Sequence, residues 1–226
     1  MNFVSQATVT DIIEHKPDIR EYVLSIEKER KYNPGSFVQL TLDTVTASDI
    51  WPDSRTFSIA SWEKGSMRFI IKKVGYYTSR IFDEMNVGSR CTVKYPFGDL
   101  YDRNTLNKKH LFIAGGVGIT PFLGLSKYFA DNSLIQNVSL LYSARYYDDL
   151  LHLEELKKRF GDRMQLFITR EKTNGCHCRR ICIDDIANVA DNMTNVYVCG
   201  SKEFNTEIAN QLTTSGYTKI HTDEWE

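Results

Sequence analysis

The chain has 226 residues, 42% of them hydrophobic, and its 28 Lys and Arg nearly balance 29 Asp and Glu. That length accommodates one large domain or two modest ones, each with its own core, and the near-neutral charge, with no dense Lys/Arg run, argues against nucleic acid as a partner. No apolar run reaches the ~18 residues of a transmembrane helix, and the start, MNFVSQATVT, lacks the basic and apolar regions of a signal peptide, so a soluble, cytoplasmic chain is expected.

From Phe3 to about Tyr101 the chain reads as short β-like runs: EYVLSI, SFVQLTL, RTFSIA, MRFIIKKV and RCTVKY. Turn material such as NPG at 33–35 and EKGS at 63–66 divides them, the pattern of an antiparallel sandwich or barrel. One helix interrupts the strands in TSRIFDEM. Thr78 or Ser79 is placed to cap it, Ile81, Phe82 and Met85 share a face, and Gly88 follows near its end. The run RTFSIAS at 55–61 reads either as a half-buried strand or as a cradle for a flat anionic ligand.

After Asp102 apolar strands alternate with amphipathic helices. Strands are predicted in LFIA (111–114), VSLLYS (138–143), MQLFIT (164–169), NVYVCG (195–200) and near 218–222. One helix has Pro121 in its first turn, another in DDLLHLEELKKRF pairs Glu154 with Lys158, and the last aligns Phe204, Ile208 and Leu212. The alternation predicts a parallel sheet covered by helices on both sides. Polar YDRNTLNK marks the boundary, giving a β domain at 1–102 and an α/β domain at 103–226.

Cys91, Cys176, Cys178, Cys182 and Cys199 are an odd set, which without a secretion signal argues for reduced thiols. GCHCRRIC gathers Cys176, His177, Cys178 and Cys182. Zinc sites usually pair separated knuckles such as CxxC, and plant-type iron–sulfur sites use CxxxxCxxC with a distant fourth ligand, so surface thiols are expected and no metal is assigned. LFIAGGVGITPF is more telling: an apolar strand runs into Gly115, Gly116 and Gly118, then into Thr120 and Pro121 at a helix start. Backbone amides and a helix N-terminus meet there, which suits a pyrophosphate, and the same glycines also serve a tight packing turn. The turn departs from GxGxxG at Pro121, and the second strand ends in Arg145 rather than an acid; a cation suits a phosphate better than a ribose 2′-hydroxyl.

Taken in order, RTFS, GYYTS before a helix, PFG, GGVGITP and VYVCG resemble the ferredoxin-NADP reductase family of flavoproteins over nearly the whole chain. The resemblance implies an N-terminal antiparallel Greek-key β-barrel for FAD, a C-terminal α/β domain with a parallel five-stranded Rossmann-like sheet for NADPH or NADH, and a flavin ring in the cleft between them. It puts Arg55 on a flavin phosphate with Thr56 beside it, Phe57 on the flavin face and the Ser58 hydroxyl near N5. Those residue types suit the tasks: a guanidinium forks onto phosphate, an aromatic offers a wide apolar surface, and a hydroxyl donates or accepts. In a regular strand, however, Ser58 points away from the face shared by Arg55 and Phe57, so the strand bends or ends there, or the hydroxyl lies elsewhere.

By the same resemblance Ile70, Ile71 and Lys72 offer backbone groups to the flavin, and Gly75, Thr78 and Ser79 hold its pyrophosphate. A bare helix cap is the alternative for Thr78 and Ser79, as are plain loop aromatics for Tyr76 and Tyr77. Gly116, Gly118, Thr120 and Pro121 line the nucleotide site, while Cys199 and Gly200 match the family's CG beside the nicotinamide, where the cysteine positions the ring. Arg145, Arg170 and Arg180 are candidates for the 2′-phosphate and favour NADPH, with Arg179 in place of the glycine of the family's GRI. In the terminal HTDEWE, Trp225 would cover the second flavin face, and Glu224 or Asp223 would carry a proton. The implied function is hydride transfer from NAD(P)H to FAD and delivery of electrons to a separate ferredoxin, flavodoxin or oxygenase component, with no fused iron–sulfur domain. Reduction of free flavin, ferric iron or a quinone, and a nucleotide-binding electron-transfer subunit with little activity of its own, are the alternatives.

Overall fold

A computed structural model describes residues 3–29, 32–63 and 65–223. The chain divides into two compact units, Met1–Tyr101 and Asp102–Glu226. In chain order the first unit forms β1 (Phe3–Lys16), β2 (Ile19–Ile26), β3 (Phe37–Thr41), β4 (Arg55–Ser58), β5 (Ser61–Glu63), β6 (Ser66–Lys72), helix α1 (Tyr76–Glu84) and β7 (Arg90–Phe97). The strands make one antiparallel sheet in the order β4-β3-β7-β1-β2-β6-β5.

The outermost strands of that sheet, β4 and β5, are consecutive in the chain. Only Ile59 and Ala60 separate them, with the Ile59 N–H donating to the Ser36 carbonyl at 3.1 Å and the Ala60 N–H to the Arg68 carbonyl at 2.9 Å. The two edges are thereby drawn together, and the sheet curls into a barrel. The return of β7 between β3 and β1 gives the Greek-key path. Tyr22, Leu24, Val38, Leu40, Phe69 and Val93 are fully buried inside it, and α1 adds Ile81, Phe82 and Met85, each large apolar side chain contributing about 1.5–3 kcal/mol on burial.

Two departures from the sequence reading have local causes. Strand β1 was not anticipated: its alternation is broken by register shifts between Val9 and Asp11 and between Glu14 and Lys16, which interrupt the period of two. Helix α1 starts two residues before Thr78, with Gly75 as its N-cap, because the Thr78 hydroxyl reaches back to accept the Val74 and Gly75 amides at 2.9 and 3.0 Å. Strand β4 ends at Ser58, which is buried, while Arg55 is exposed and Phe57 packs partly on the barrel core.

The second unit runs β8 (His110–Gly115), α2 (Thr120–Asp131), β9 (Val138–Ala144), α3 (Leu153–Phe160), β10 (Met164–Ile168), α4 (Ile183–Ala187), β11 (Asn195–Cys199), α5 (Lys202–Thr214) and β12 (Ile220–Asp223). Its parallel sheet has the order β10-β9-β8-β11-β12. The chain therefore builds outward from β8 to one edge, returns and builds from β11 to the other, which makes the β8/β11 pair the switch point of the sheet. Helix α3 is shorter than DDLLHLEELKKRF suggested, since His152 adopts φ 53° just before it, and Glu154 pairs with Lys157 at 2.9 Å instead of Lys158. Three residues apart serves as well as four on a helix face. Helix α4 is a single short turn and escaped the reading for lack of a periodic face.

His110 opens β8 among aromatic rings, 4.7 Å from that of Phe129 and 5.8 Å from that of Tyr197, with Nε2 2.9 Å from the Thr105 carbonyl. Burial pushes its pKa down to about 4. An unfolded chain takes up this proton near pH 6.5; the folded chain refuses it until about pH 4. Stability is consequently full above pH 6.5 and is lost as pH falls through that window, by up to about 3 kcal/mol. Denaturant midpoints measured from pH 7 to 4 should fall less steeply in His110→Phe than in the unmodified chain, and an unchanged slope would dismiss His110 as the source.

Candidate functional site

In the first unit the candidate residues gather around the start of α1. The first amides of a helix have no intrahelical partner, and here the first paired one is Ser79 N–H, 2.9 Å from the Gly75 carbonyl. A Cβ built on Gly75 meets nothing within 4 Å, so the space beside the helix start is open. Thr78 itself is committed: its hydroxyl accepts two amides and donates to the Gly75 carbonyl at 3.1 Å. Its hydroxyl ties the turn before α1 to the first turn of the helix.

Arg55 stands on β4 opposite Leu40. Its Nη1 donates to Asp53 Oδ1 at 2.6 Å and to the Ser54 carbonyl at 2.7 Å, leaving the Nε–Nη2 edge without a hydrogen bond among the described residues. The guanidinium lies over the ring of Tyr77, 4.8 Å from its centroid. Tyr77 is buried, unlike Tyr76, and is no loop aromatic. Thr56 is half-buried opposite Gln39. On β6, Ile70, Ile71 and Lys72 pair with Glu21, Arg20 and Ile19 of β2, whereas β5 pairs with β6 only as far as Arg68. The outer backbone edge of Ile70–Lys72 thus has no strand partner among the described residues. Glu224 and Trp225 lie outside the described residues.

In the second unit the glycine turn spans a short 3-10 segment, Gly116–Ile119, between β8 and α2. Its glycines do different jobs. Gly116 adopts φ 55° and a Cβ there meets nothing within 4 Å, an open left-handed position. At Gly118 the corresponding Cβ would lie 2.1 Å from the Cys199 carbonyl oxygen. That contact is main chain on main chain, between the turn after β8 and the end of β11, at the switch point. Gly200 is required by the Phe204 ring, which a Cβ would meet at 2.5 Å. Buried Tyr142 on β9 fixes the turn from the side: its hydroxyl donates to the Gly116 carbonyl at 3.1 Å and accepts the Leu151 amide at 3.0 Å. Burial raises the pKa of this phenol and keeps it a donor. Thr120 donates to the Val117 carbonyl at 2.7 Å, and Pro121 fills the first turn of α2.

Cys199 is buried at the end of β11, between Ala114 and Asp223 in register, with Sγ 3.9 Å from Asp223 Oδ2. Arg145 and Arg170 are exposed beyond the ends of β9 and β10, joined by the Arg170 amide to the Arg145 carbonyl at 2.9 Å. Arg180 is engaged elsewhere, with Nη1 2.6 Å from Glu207 on α5. Its neighbour Arg179 grips buried Asp185 with both Nη atoms at 2.6 Å, holding that carboxyl far below the usual range. Asp185 also accepts the Cys182 amide at 2.9 Å and its thiol at 3.2 Å. The Cys178 thiol turns back to the main chain of Thr173. Tyr142, Asp185 and the buried part of Tyr77 were missed by sequence reasoning; only Asp185, three residues after the cap Cys182, carried a capping signal.

With this geometry in place, comparison with known proteins is specific. Residues 112–210 match the model of the oxidoreductase NAD-binding domain. The ferredoxin–NAD(P)(+) reductase component of naphthalene 1,2-dioxygenase/salicylate 5-hydroxylase systems from Ralstonia sp is 27% identical over 158 residues, 68% of this chain and 45% of that protein. The electron transfer component of 2-halobenzoate 1,2-dioxygenase from Burkholderia cepacia is 25% identical over 206 residues, covering 85% of this chain and 58% of that protein. The chain spans about half the length of the curated relatives it matches. Among solved structures, a ferredoxin NADP+ reductase from Neisseria gonorrhoeae with bound FAD and NADP aligns at TM-score 0.82 and 17% identity over 97% of this chain and 98% of that one. The two chains share one fold over nearly their whole length.

The two glycines of the turn should separate in experiment. Gly118→Ala forces the turn off the end of β11 and is expected to cost upwards of about 3 kcal/mol in chemical denaturation. Gly116→Ala should cost only about 1 kcal/mol, for the left-handed backbone alone. Equal losses would mean that the contact at Gly118 is not the constraint.

Proposed function

We propose, from this likeness to ferredoxin-NADP reductase-like proteins, that the chain is an oxidoreductase of that kind whose first unit holds FAD, whose second binds NADPH in preference to NADH, and whose electrons pass to a separate carrier protein. The observation that carries this reading is a recurrence: each unit places a helix start beside a glycine that faces open space, Gly75 before α1 and Gly116 ahead of α2. Two dinucleotide-type cofactors, each with a pyrophosphate, need two such starts.

Bound flavin supplies hydride acceptance at N5 and release of electrons singly or in pairs. The chain's own residues bind and orient. In the first unit the open edge of Arg55 and the leading amides of α1 take the phosphates, the backbone edge of Ile70–Lys72 receives the ring and ribityl chain, and Phe57 offers an apolar face. The Ser58 hydroxyl, at the corner where β4 ends, donates or accepts as N5 changes protonation. In the second unit the amide of Gly116 and the start of α2 take the nucleotide pyrophosphate. Thr120, Pro121 and Cys199 form the wall for the nicotinamide, which the contact of Gly118 with Cys199 keeps close.

The NADPH preference rests on Arg145 and Arg170, the two cations held side by side beyond the carboxyl ends of β9 and β10. Anaerobic mixing of the purified protein with NADPH and NADH in parallel, with flavin absorbance followed, is expected to show fast bleaching by NADPH. Arg170→Ala should weaken NADPH binding about tenfold or more and NADH binding little. Absence of bleaching by either nucleotide would reject the reductase reading, and equal losses for both would reject the arginine's part.

Transfer to a carrier protein is supported by the relatives that serve as reductase or electron transfer components of oxygenase systems. Turnover is expected to depend strongly on added ferredoxin or flavodoxin and to fall with rising ionic strength. Rates as high with free flavin or ferric iron alone would favour a small-molecule reductase instead.

A further inference from the structure

We infer that Tyr77 is the positioning residue that sets Arg55 for a flavin phosphate; the inference rests on the proposed flavin reading of the first unit. Tyr77 occupies the second position of α1, next to the open Gly75 cradle, yet its side chain runs inward and is 3% exposed. Its hydroxyl sits at the crossing of two segments that define where Arg55 can be. It accepts the Leu42 amide at 3.2 Å, just past the end of β3, and donates to the Asp53 carbonyl at 3.0 Å, two residues before Arg55. The Leu40 carbonyl, on the residue paired in register with Arg55, lies 3.4 Å from the same oxygen.

The ring then supports the guanidinium from below, at 4.8 Å. One side chain of α1 thus fixes both the main chain leading into Arg55 and the plane of its charged end. This matters because a guanidinium recognises phosphate through a flat edge of two donors, and an unsupported arginine loses rotamer entropy when it docks. Asp53 and the Ser54 carbonyl use only Nη1, so the edge made by Nε and Nη2 is the one presented. Arg80 also lies over this ring, at 5.7 Å, but Glu84 takes its Nε and Nη2 at 2.7 and 3.1 Å. Its equivalent edge is consumed along the helix surface, and the two arginines are not interchangeable.

Flavins that differ in phosphate separate positioning from plain structure. The flavin-stripped full chain is titrated with FAD, FMN and riboflavin, following quenching of flavin fluorescence. Tyr77→Leu should weaken FAD and FMN about tenfold and leave riboflavin nearly unchanged. Tyr77→Phe, which keeps the ring and loses the tie to Asp53, should show a smaller loss with the same dependence on phosphate. In an Arg55→Gln background the Tyr77→Leu loss should vanish, since a residue acting through Arg55 has nothing left to position. Equal weakening of all three flavins, losses that add to those of Arg55→Gln, or unchanged FMN binding in both Tyr77 variants would overturn the inference. Arg55→Gln alone tests the premise: if it leaves the preference for FMN over riboflavin intact, the flavin phosphate does not meet Arg55, and the role given to Tyr77 falls with it.

Discussion

The second unit turns on one place where main chain touches main chain. The Cys199 carbonyl occupies the space that a side chain at Gly118 would need, and this contact locks the turn leaving β8 onto the end of β11 at the one pair of strands where the sheet reverses its order of growth. The groups proposed to meet a nucleotide are referred to it. Gly116, the start of α2 and the Cys199–Gly200 step all lie within a few residues of the lock. Tyr142 pins the far side of the turn through the Gly116 carbonyl. The surface proposed to face a ligand is therefore backbone held by packing, which would keep its donors aimed without a cost of ordering.

The first unit reaches a comparable end by different means. There, closure of the barrel through two residues makes Ser58 a corner rather than the middle of a strand, and a buried tyrosine couples the helix start to the strand that carries the cation. Both units bring a helix N-terminus, a glycine and a fixed donor together. In one the fixing element is the absence of a side chain, in the other the presence of a large one.

Much of this was legible in the residues. The change of period near residue 102, from short β runs to strands alternating with helices, reports the two sheet types, because each buries its faces differently. The glycine-bearing motifs mark the two turns whose glycines, Gly75 and Gly116, face open space. What escaped had no local signature. Strand β1 hides its period behind two bulges whose register is set by β2. Tyr77 and Tyr76 are adjacent and chemically identical, and only the direction of the helix decides that one is buried and the other 78% exposed. Arg179 and Arg180 likewise look alike, but Asp185 claims the first and Glu207 the second, a choice made by tertiary placement. The paired carboxylates are six and 27 residues away, beyond the reach of motif reasoning.

The segment carrying Cys176 and Cys178 matches no metal pattern, and its place in the fold gives it a different meaning. Strand β10 ends the parallel sheet on one side, and an edge strand offers its free amides and carbonyls to any other strand that arrives. Here the segment folds back along it: the His177 amide donates to the Leu166 carbonyl and the Ile168 amide to the His177 carbonyl, both at 2.8 Å, while the His177 ring stacks on Phe167 at 4.7 Å. Arg179, bound to Asp185, anchors the return. Two of the groups that would invite a second molecule to extend the sheet, the Leu166 carbonyl and the Ile168 amide, are already occupied from within, which leaves less of that edge open to pairing with another strand.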